Sequence, residues 1–204
     1  MRDRVRIVGS ELLSHKWGRL TRYEIDYRRG DGSWQRQSRE VYDRGQAAVI
    51  LLVDPARETV ILTRQFRFPV HLNGDDPGLI EACAGLLEGL APEACARKEA
   101  EEEAGYRVGV ALHLFDAFMS PGSVTEKLSF FLGSYEPADR VSAGGGLAEE
   151  GEDIEVLELP LAEALAMVGR GEIVDAKTIM VLQHAALHGL AALRQALDQR
   201  AKGS

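Results

Sequence analysis

The chain has 204 residues, 45% of them apolar and 27% charged, with 24 basic side chains against 32 acidic ones and a net charge of −8. A chain of this length buries roughly 70% of its unfolded surface without disulfide staples, and its longest apolar run, residues 47–53, is too short to cross a bilayer. A field of this sign repels nucleic acid and anionic lipid, so an anionic ligand would need metal ions or a local basic cluster.

The basic start, Met1-Arg2-Asp3-Arg4, runs into alternating rather than continuous apolar residues, which argues against a secretory signal. Residues 4–42 alternate about a turn at Gly30-Asp31-Gly32 and predict an antiparallel strand group. Residues 47–53 and 59–66 flank the turn Asp54-Pro55-Ala56-Arg57, with the near-continuous aliphatic content of strands covered on both faces. Residues 70–78 read as a polar loop and 79–82 as a short strand. A helix then starts at Pro92, a first-turn position, with Glu93 near the positive end of its dipole, and stops at Gly105 after Ala104. Residues 106–118 and 127–135 read as strands joined by Ser120-Pro121-Gly122-Ser123. An acidic loop, 136–153, contains Gly144-Gly145-Gly146, which reads as a hinge. A strand at 154–159 and helices at 161–168 and 175–197 follow, the second helix capped by Asp175, and Lys202-Gly203-Ser204 is expected to fray. The order predicts an α/β fold, a mixed sheet covered by helices, with an N-terminal antiparallel β extension. Two cysteines, Cys83 and Cys95, form neither a disulfide framework nor a zinc-ligand spacing and read as buried hydrophobes in a cytoplasmic protein. His184 and His188 lie in an Ala/Leu-rich helix and read as packing or a dimer contact rather than as a metal pair.

Residues 85–106 carry the chemistry. At 100° per residue, Glu102 and Glu103 stand at about 300° and 40° from Glu99, so three carboxylates share one helical stripe while Glu101 points away. Like charges at these spacings repel by a few tenths of a kcal/mol per pair. A hard cation such as magnesium relieves that repulsion and also bridges phosphate oxygens. The alternative is a solvated acidic face with Arg97 and Lys98 as local counter-ions.

This stretch resembles the Nudix box, Gly-x5-Glu-x7-Arg-Glu-U-x-Glu-Glu-x-Gly-U, where U is a bulky apolar residue. The core Glu99-x-x-Glu102-Glu103-x-Gly105 matches. The first motif glutamate is replaced by Leu90 or Ala91, the interval from Gly85 to Glu99 is one residue short, Lys98 stands at the arginine position beside Arg97, and Ala100 stands at the first U. The runs Arg39-Glu40-Val41-Tyr42-Asp43-Arg44-Gly45, Arg64-Gln65-Phe66-Arg67, Leu79 through Leu87, Met119-Ser120-Pro121-Gly122 and Glu152 through Pro160 are similar to the GDP-mannose pyrophosphatase branch of the Nudix hydrolases, near the ADP-ribose pyrophosphatases. That branch has the same short box with a lysine.

The resemblance implies a Nudix α/β/α sandwich over residues 45–200 and an N-terminal β-strand dimerisation region over 1–44, in a homodimer whose N-terminal strands reach the partner's site. It implies metal binding by Glu99, Glu103, Glu152 and the carbonyl of Ala84, with Mg2+ as cofactor and Mn2+ as a substitute. Arg67, Glu126 and Lys177 would contact diphosphate or sugar, the Ala84-Gly85-Leu86 backbone and Glu103 would line the phosphate path, and Arg39, Glu40 and Val41 would meet the nucleotide. Glu152 is the first candidate for the base, with Glu102 and Glu126 competing. The implied reaction is hydrolysis of a nucleoside diphosphate sugar, GDP-mannose to GMP and mannose 1-phosphate. The runner-up is ADP-ribose to AMP and ribose 5-phosphate, and a third reading is a catalytically silent nucleotide-sugar sensor. After Trp17 the branch places a tyrosine against the base, where this chain has Gly18.

Overall fold

Alternation does build the first strands. In the computed structural model, which describes residues 1–202, β1 (Val5–His15), β2 (Arg19–Arg28) and β3 (Trp34–Asp43) form an antiparallel sheet in the order β1-β2-β3. The β2–β3 turn closes with Arg29 N–H donating to Ser33 O at 2.8 Å, and Gly32 supplies the left-handed residue at φ 87°. This sheet belongs to one compact unit, residues 1–46 with 118–127; residues 47–117 with 128 onward form a second. Gly203 and Ser204, part of the tail expected to fray, lie outside the described residues.

The second unit is organised by β4 (Ala47–Asp54), which is buried along its whole length. It pairs antiparallel with β5 (Thr59–Phe66) at its far end. A single turn, α1 (Phe68–Leu72), with Pro69 in its first positions, stands where the sequence suggested only loop, and leads to β6 (Gly78–Glu81), which pairs with β5. β7 (Cys83–Leu86) pairs with the near end of β4, setting Ala84 opposite Val49 and Gly85 opposite Ala48. The helix α2 (Pro92–Glu99) follows. Then β8 (Ala111–Phe118) and β9 (Lys127–Ser134) complete the sheet, β9 running parallel to β4, and β10 (Glu155–Pro160) closes the other edge in the order β10-β5-β4-β9-β8. β8 begins later than expected because Tyr106 makes only an isolated bridge to Arg140.

Alternation along β4 gives it two apolar faces. Ala48, Ile50 and Leu52 pack with Cys83, Cys95, Ala96, Ala100, Ala104 and Tyr106, so the small side chains of α2 let that helix lie close to the sheet. α3 (Leu161–Arg170) packs on β10 and β5, and α4 (Ala176–His184) on β4 and β6. The last helix is not continuous: a π-turn over Ala185–Gly189 separates α4 from α5 (Leu190–Lys202). This is the α/β/α layering expected from the sequence. No described helix is long and apolar enough to cross a membrane.

Candidate active site

α2 carries the glutamates but does not end as a regular helix. After Glu99 the backbone widens into a π-turn over Ala100–Ala104, ended by Gly105 at φ 79°; Gly105 N–H returns to Glu101 O at 3.1 Å and Tyr106 N–H to Ala100 O at 3.3 Å. A π-turn advances each residue by less than an α-helix does, so Glu103 stays near the meridian of Glu99 while Glu102 swings further aside. The single stripe of three acids is therefore corrected to a buried pair with a flanking third. Glu103 is 2% exposed, Glu99 is largely covered, Glu102 is partly exposed and Glu101 faces solvent.

The positive charges near these acids are few. Lys98 Nζ donates to Glu102 at 2.6 Å and lies 3.6 Å from Glu99. Arg97 turns away, with Nε on Glu93 at 2.9 Å and Nη1 on the Val108 carbonyl at 2.7 Å, so Lys98 alone of these two neighbours serves the glutamates. Glu103 accepts from Ala84 N–H at 3.2 Å. Burial, reinforced by the charges of Glu99 and Glu152, pushes its carboxyl up to about 8, against the pull of the Ala84 N–H and of Arg67. Glu99 is raised as well, first by burial, with Lys98 opposing and Glu102 and Glu152 adding to it. Gly85 is bare for a geometric reason: a Cβ there would fall 2.2 Å from the Glu99 carboxylate.

The loop after β9 brings Glu152. Its glycines do not hang free as a hinge; they strap the end of the acidic helix, with Gly145 N–H on Glu103 O at 2.9 Å and Gly146 N–H on Glu102 O at 3.1 Å. All three are left-handed, Gly144 would clash with Glu103 O if it carried a Cβ, and Gly146 would meet Glu152 Oε2 at 2.4 Å. Glu152 Oε2 accepts from Leu147 N–H at 2.9 Å.

Beside the acids lies a cationic group that is only partly visible in the sequence. Arg67, at the start of α1, places Nε 2.7 Å from Glu81 Oε2, and Lys177, in the first turn of α4, bonds Glu81 Oε1. Lys177 Nζ is also 3.1 Å from Asp175, the N-cap of α4, whose carboxylate accepts from Thr178 N–H at 3.0 Å. Thr178 Oγ1 in turn accepts from Ala82 N–H at 2.8 Å, tying α4 to the β6–β7 junction. Glu81 had no assigned role. Its signal was a lone acid inside the otherwise apolar run Leu79-Ile80-Glu81-Ala82-Cys83.

The remaining candidates belong to the other compact unit. Arg39 and Glu40 are exposed on β3 with Val41 beside them; Arg39 bonds Gln37 at 2.8 Å and Glu40 reaches Arg22 at 3.4 Å. Glu126 is partly buried in the segment 118–127. At Gly18 a Cβ would fall 2.7 Å from the Tyr42 ring, so the bare position admits that ring. Trp17 is 81% exposed under Arg44. His184 stacks edge-on with Phe115 and His188, consistent with packing.

Comparison with known proteins decides the family. A NUDIX domain model matches residues 43–180, and a model described as the GDP-mannose pyrophosphatase NudK N-terminal domain matches residues 4–42. The chain belongs to the Nudix family. Curated relatives include proteins named GDP-mannose pyrophosphatase from Pectobacterium atrosepticum, 55% identical over 93% of this chain and 97% of the relative, and from Citrobacter koseri, 49% identical over 90% and 96%. Another with the same name, from Klebsiella pneumoniae, is 48% identical over 91% and 93%. The chain is thus a Nudix enzyme, and this family generally uses divalent metal ions such as Mg2+. The residues fit such an ion in donor chemistry: Glu99, Glu103 and Glu152 are hard oxygen donors whose charges raise the two buried members. Among the described residues no three His, Cys, Asp or Glu side chains are gathered into a ready-made cage.

Proposed function

We propose that the chain hydrolyses the diphosphate bond of a nucleoside diphosphate sugar in a Mg2+-dependent reaction, with GDP-mannose as the first substrate and GMP and mannose 1-phosphate as products. The observation that carries this reading is Glu103, a carboxylate 2% exposed whose nearby acids leave its charge unmatched; the names of the relatives supply the substrate. Glu99, Glu103, Glu152 and the Ala84 carbonyl would hold magnesium. Bound there, magnesium would neutralise diphosphate charge and make the attacking water more acidic. Arg67 and Lys177 hold the diphosphate by charge, and the bare Gly85 keeps the backbone open beside Glu99. Glu152 receives the proton of the attacking water as the new oxygen–phosphorus bond forms, while the bridging oxygen leaves with the departing phosphate.

The reading includes a homodimer in which Arg39, Glu40 and Val41 contact the nucleotide. Supporting it, β1 exposes Val5, Ile7, Val8 and Leu12, an apolar set that a second chain would cover. Light scattering on the eluted protein should give twice the chain mass. A reducing cytoplasm suits the two buried free thiols, Cys83 and Cys95.

The test of the reaction is chromatographic analysis of GDP-mannose and ADP-ribose incubated with the protein and Mg2+, Mn2+ or a chelator. Metal-dependent release of GMP and mannose 1-phosphate is the expected result. Faster release of AMP and ribose 5-phosphate from ADP-ribose would transfer the assignment to that substrate, and absence of turnover with either would leave a nucleotide-sugar sensor.

A further inference from the structure

Residues 78–86 contain a single charged side chain, Glu81, and it is 2% exposed. Both of its carboxylate oxygens are occupied, Oε2 by Arg67 Nε at 2.7 Å and Oε1 by Lys177 Nζ. Arg67 comes from the β5–α1 junction and Lys177 from the first turn of α4, so one carboxylate joins cations supplied by segments more than a hundred residues apart. Buried ion pairs add little net stability over apolar packing of the same volume. A nearly dry carboxylate that draws two cations to itself, one of them partly exposed, therefore has a better explanation in what the cations do.

Resting on the reading of this site as a diphosphate hydrolase, we propose that Glu81 is a positioning residue that sets Arg67 and Lys177 as one matched pair for the substrate's diphosphate without touching the substrate itself. Arg67 spends its Nε on Glu81, and among the described residues its two terminal nitrogens have no protein acceptor, so two parallel donors remain for a phosphate. Lys177 is steadied from the other side by Asp175, 3.1 Å away. Long basic side chains lose rotamer freedom when they bind; holding them in advance removes that cost from substrate association. Both Glu81 oxygens already accept a charge-assisted bond, and its side chain is almost fully covered.

The experiment compares Glu81→Gln and the charge-preserving Glu81→Asp with the wild type, alone and in an Arg67→Ala/Lys177→Ala background, each checked for cooperative thermal unfolding. In the wild-type background, KM for the nucleotide sugar should rise about tenfold for Glu81→Gln and less for Glu81→Asp, with kcat kept within about threefold, since what is lost is binding shared by ground and transition states. The magnesium concentration giving half-maximal rate should not move, and calorimetric affinity for inorganic pyrophosphate should fall in parallel with the KM effect. In the Arg67→Ala/Lys177→Ala background, adding Glu81→Gln should change neither KM nor pyrophosphate affinity, because nothing is left to position. An unchanged KM in both single variants, or the same loss in the double-alanine background, overturns the proposal. If Glu81→Gln does not fold, Glu81→Asp decides it alone. A wild type that turns over no nucleotide sugar would sink the hydrolase reading, while the pyrophosphate measurements would still judge Glu81.

Discussion

Glu81 and Glu103 are equally buried, each 2% exposed, and both lie in the unit built around β4. Their surroundings are opposite. Glu81 is held between Arg67 and Lys177, so its charge is answered within the chain. Glu103 is surrounded by Glu99 and Glu152 and receives one backbone N–H, from Ala84. A buried carboxylate matched by its own fold is scaffolding for its partners. One left unmatched costs several kcal/mol if it must ionise alone, and the proposed magnesium role of Glu103 rests on that contrast.

The strongest way to break this contrast is Glu103→Gln. Removing the unmatched charge should lower kcat/KM for GDP-mannose by about a thousandfold or more, as loss of a group serving the transition state does. The same substitution should leave the metal-free melting temperature unchanged or raised. A rate within tenfold of wild type would end the special role given to Glu103. Next comes Gly146→Ala, which forces a side chain onto a left-handed residue and toward the Glu152 carboxylate. Displacing Glu152 should cost about ten- to a hundredfold in rate, with about 1–2 kcal/mol of stability lost to backbone strain, read by turnover and urea unfolding.

The pH dependence of the metal-free protein sharpens the same point. The Glu103 carboxyl is pushed from 4.5 up to about 8 by burial and neighbouring acids, and Glu99 is raised too. An acid raised on folding keeps a proton that the unfolded chain has released. Its contribution is therefore fully present below 4.5 and is lost as pH rises through 8. Urea titrations in chelator should show stability falling across that window by up to about 1.4 kcal/mol per pH unit from Glu103, and saturating Mg2+ should flatten the slope. The smallest effect is Asp175→Ala. Loss of the α4 cap should cost about 1 kcal/mol, with a modest KM increase through Lys177.

Much of this was legible in the sequence because its signals are local. Strand alternation in residues 4–42, the aliphatic runs of β4 and β5, Pro92 and Gly105 each act through their own backbone preferences. The glutamate spacing singles out Glu99, Glu102 and Glu103, yet it places them on an ideal helix. The π-turn at Ala100–Ala104 depends on how Gly105 and Tyr106 return their N–H groups, and spacing alone does not encode that. α1 is a single turn, shorter than any periodic signal. The second π-turn, at Ala185–Gly189, similarly interrupts what reads as one helix. Glu81 was visible as a lone acid in an apolar strand, but its partners, fourteen and ninety-six residues away, emerge only when the sheet brings β6 to α4.

The glycine strap ties together two stretches of chain about forty residues apart. The carbonyls ending the acidic helix, Glu102 O and Glu103 O, are completed by N–H groups of Gly146 and Gly145, and Gly105 O is completed by Val141. The last turn of that helix and the loop bearing Glu152 are therefore fastened by the same hydrogen bonds. A chain cut before residue 145 would leave Glu102 O and Glu103 O without their donors and would also lack Glu152.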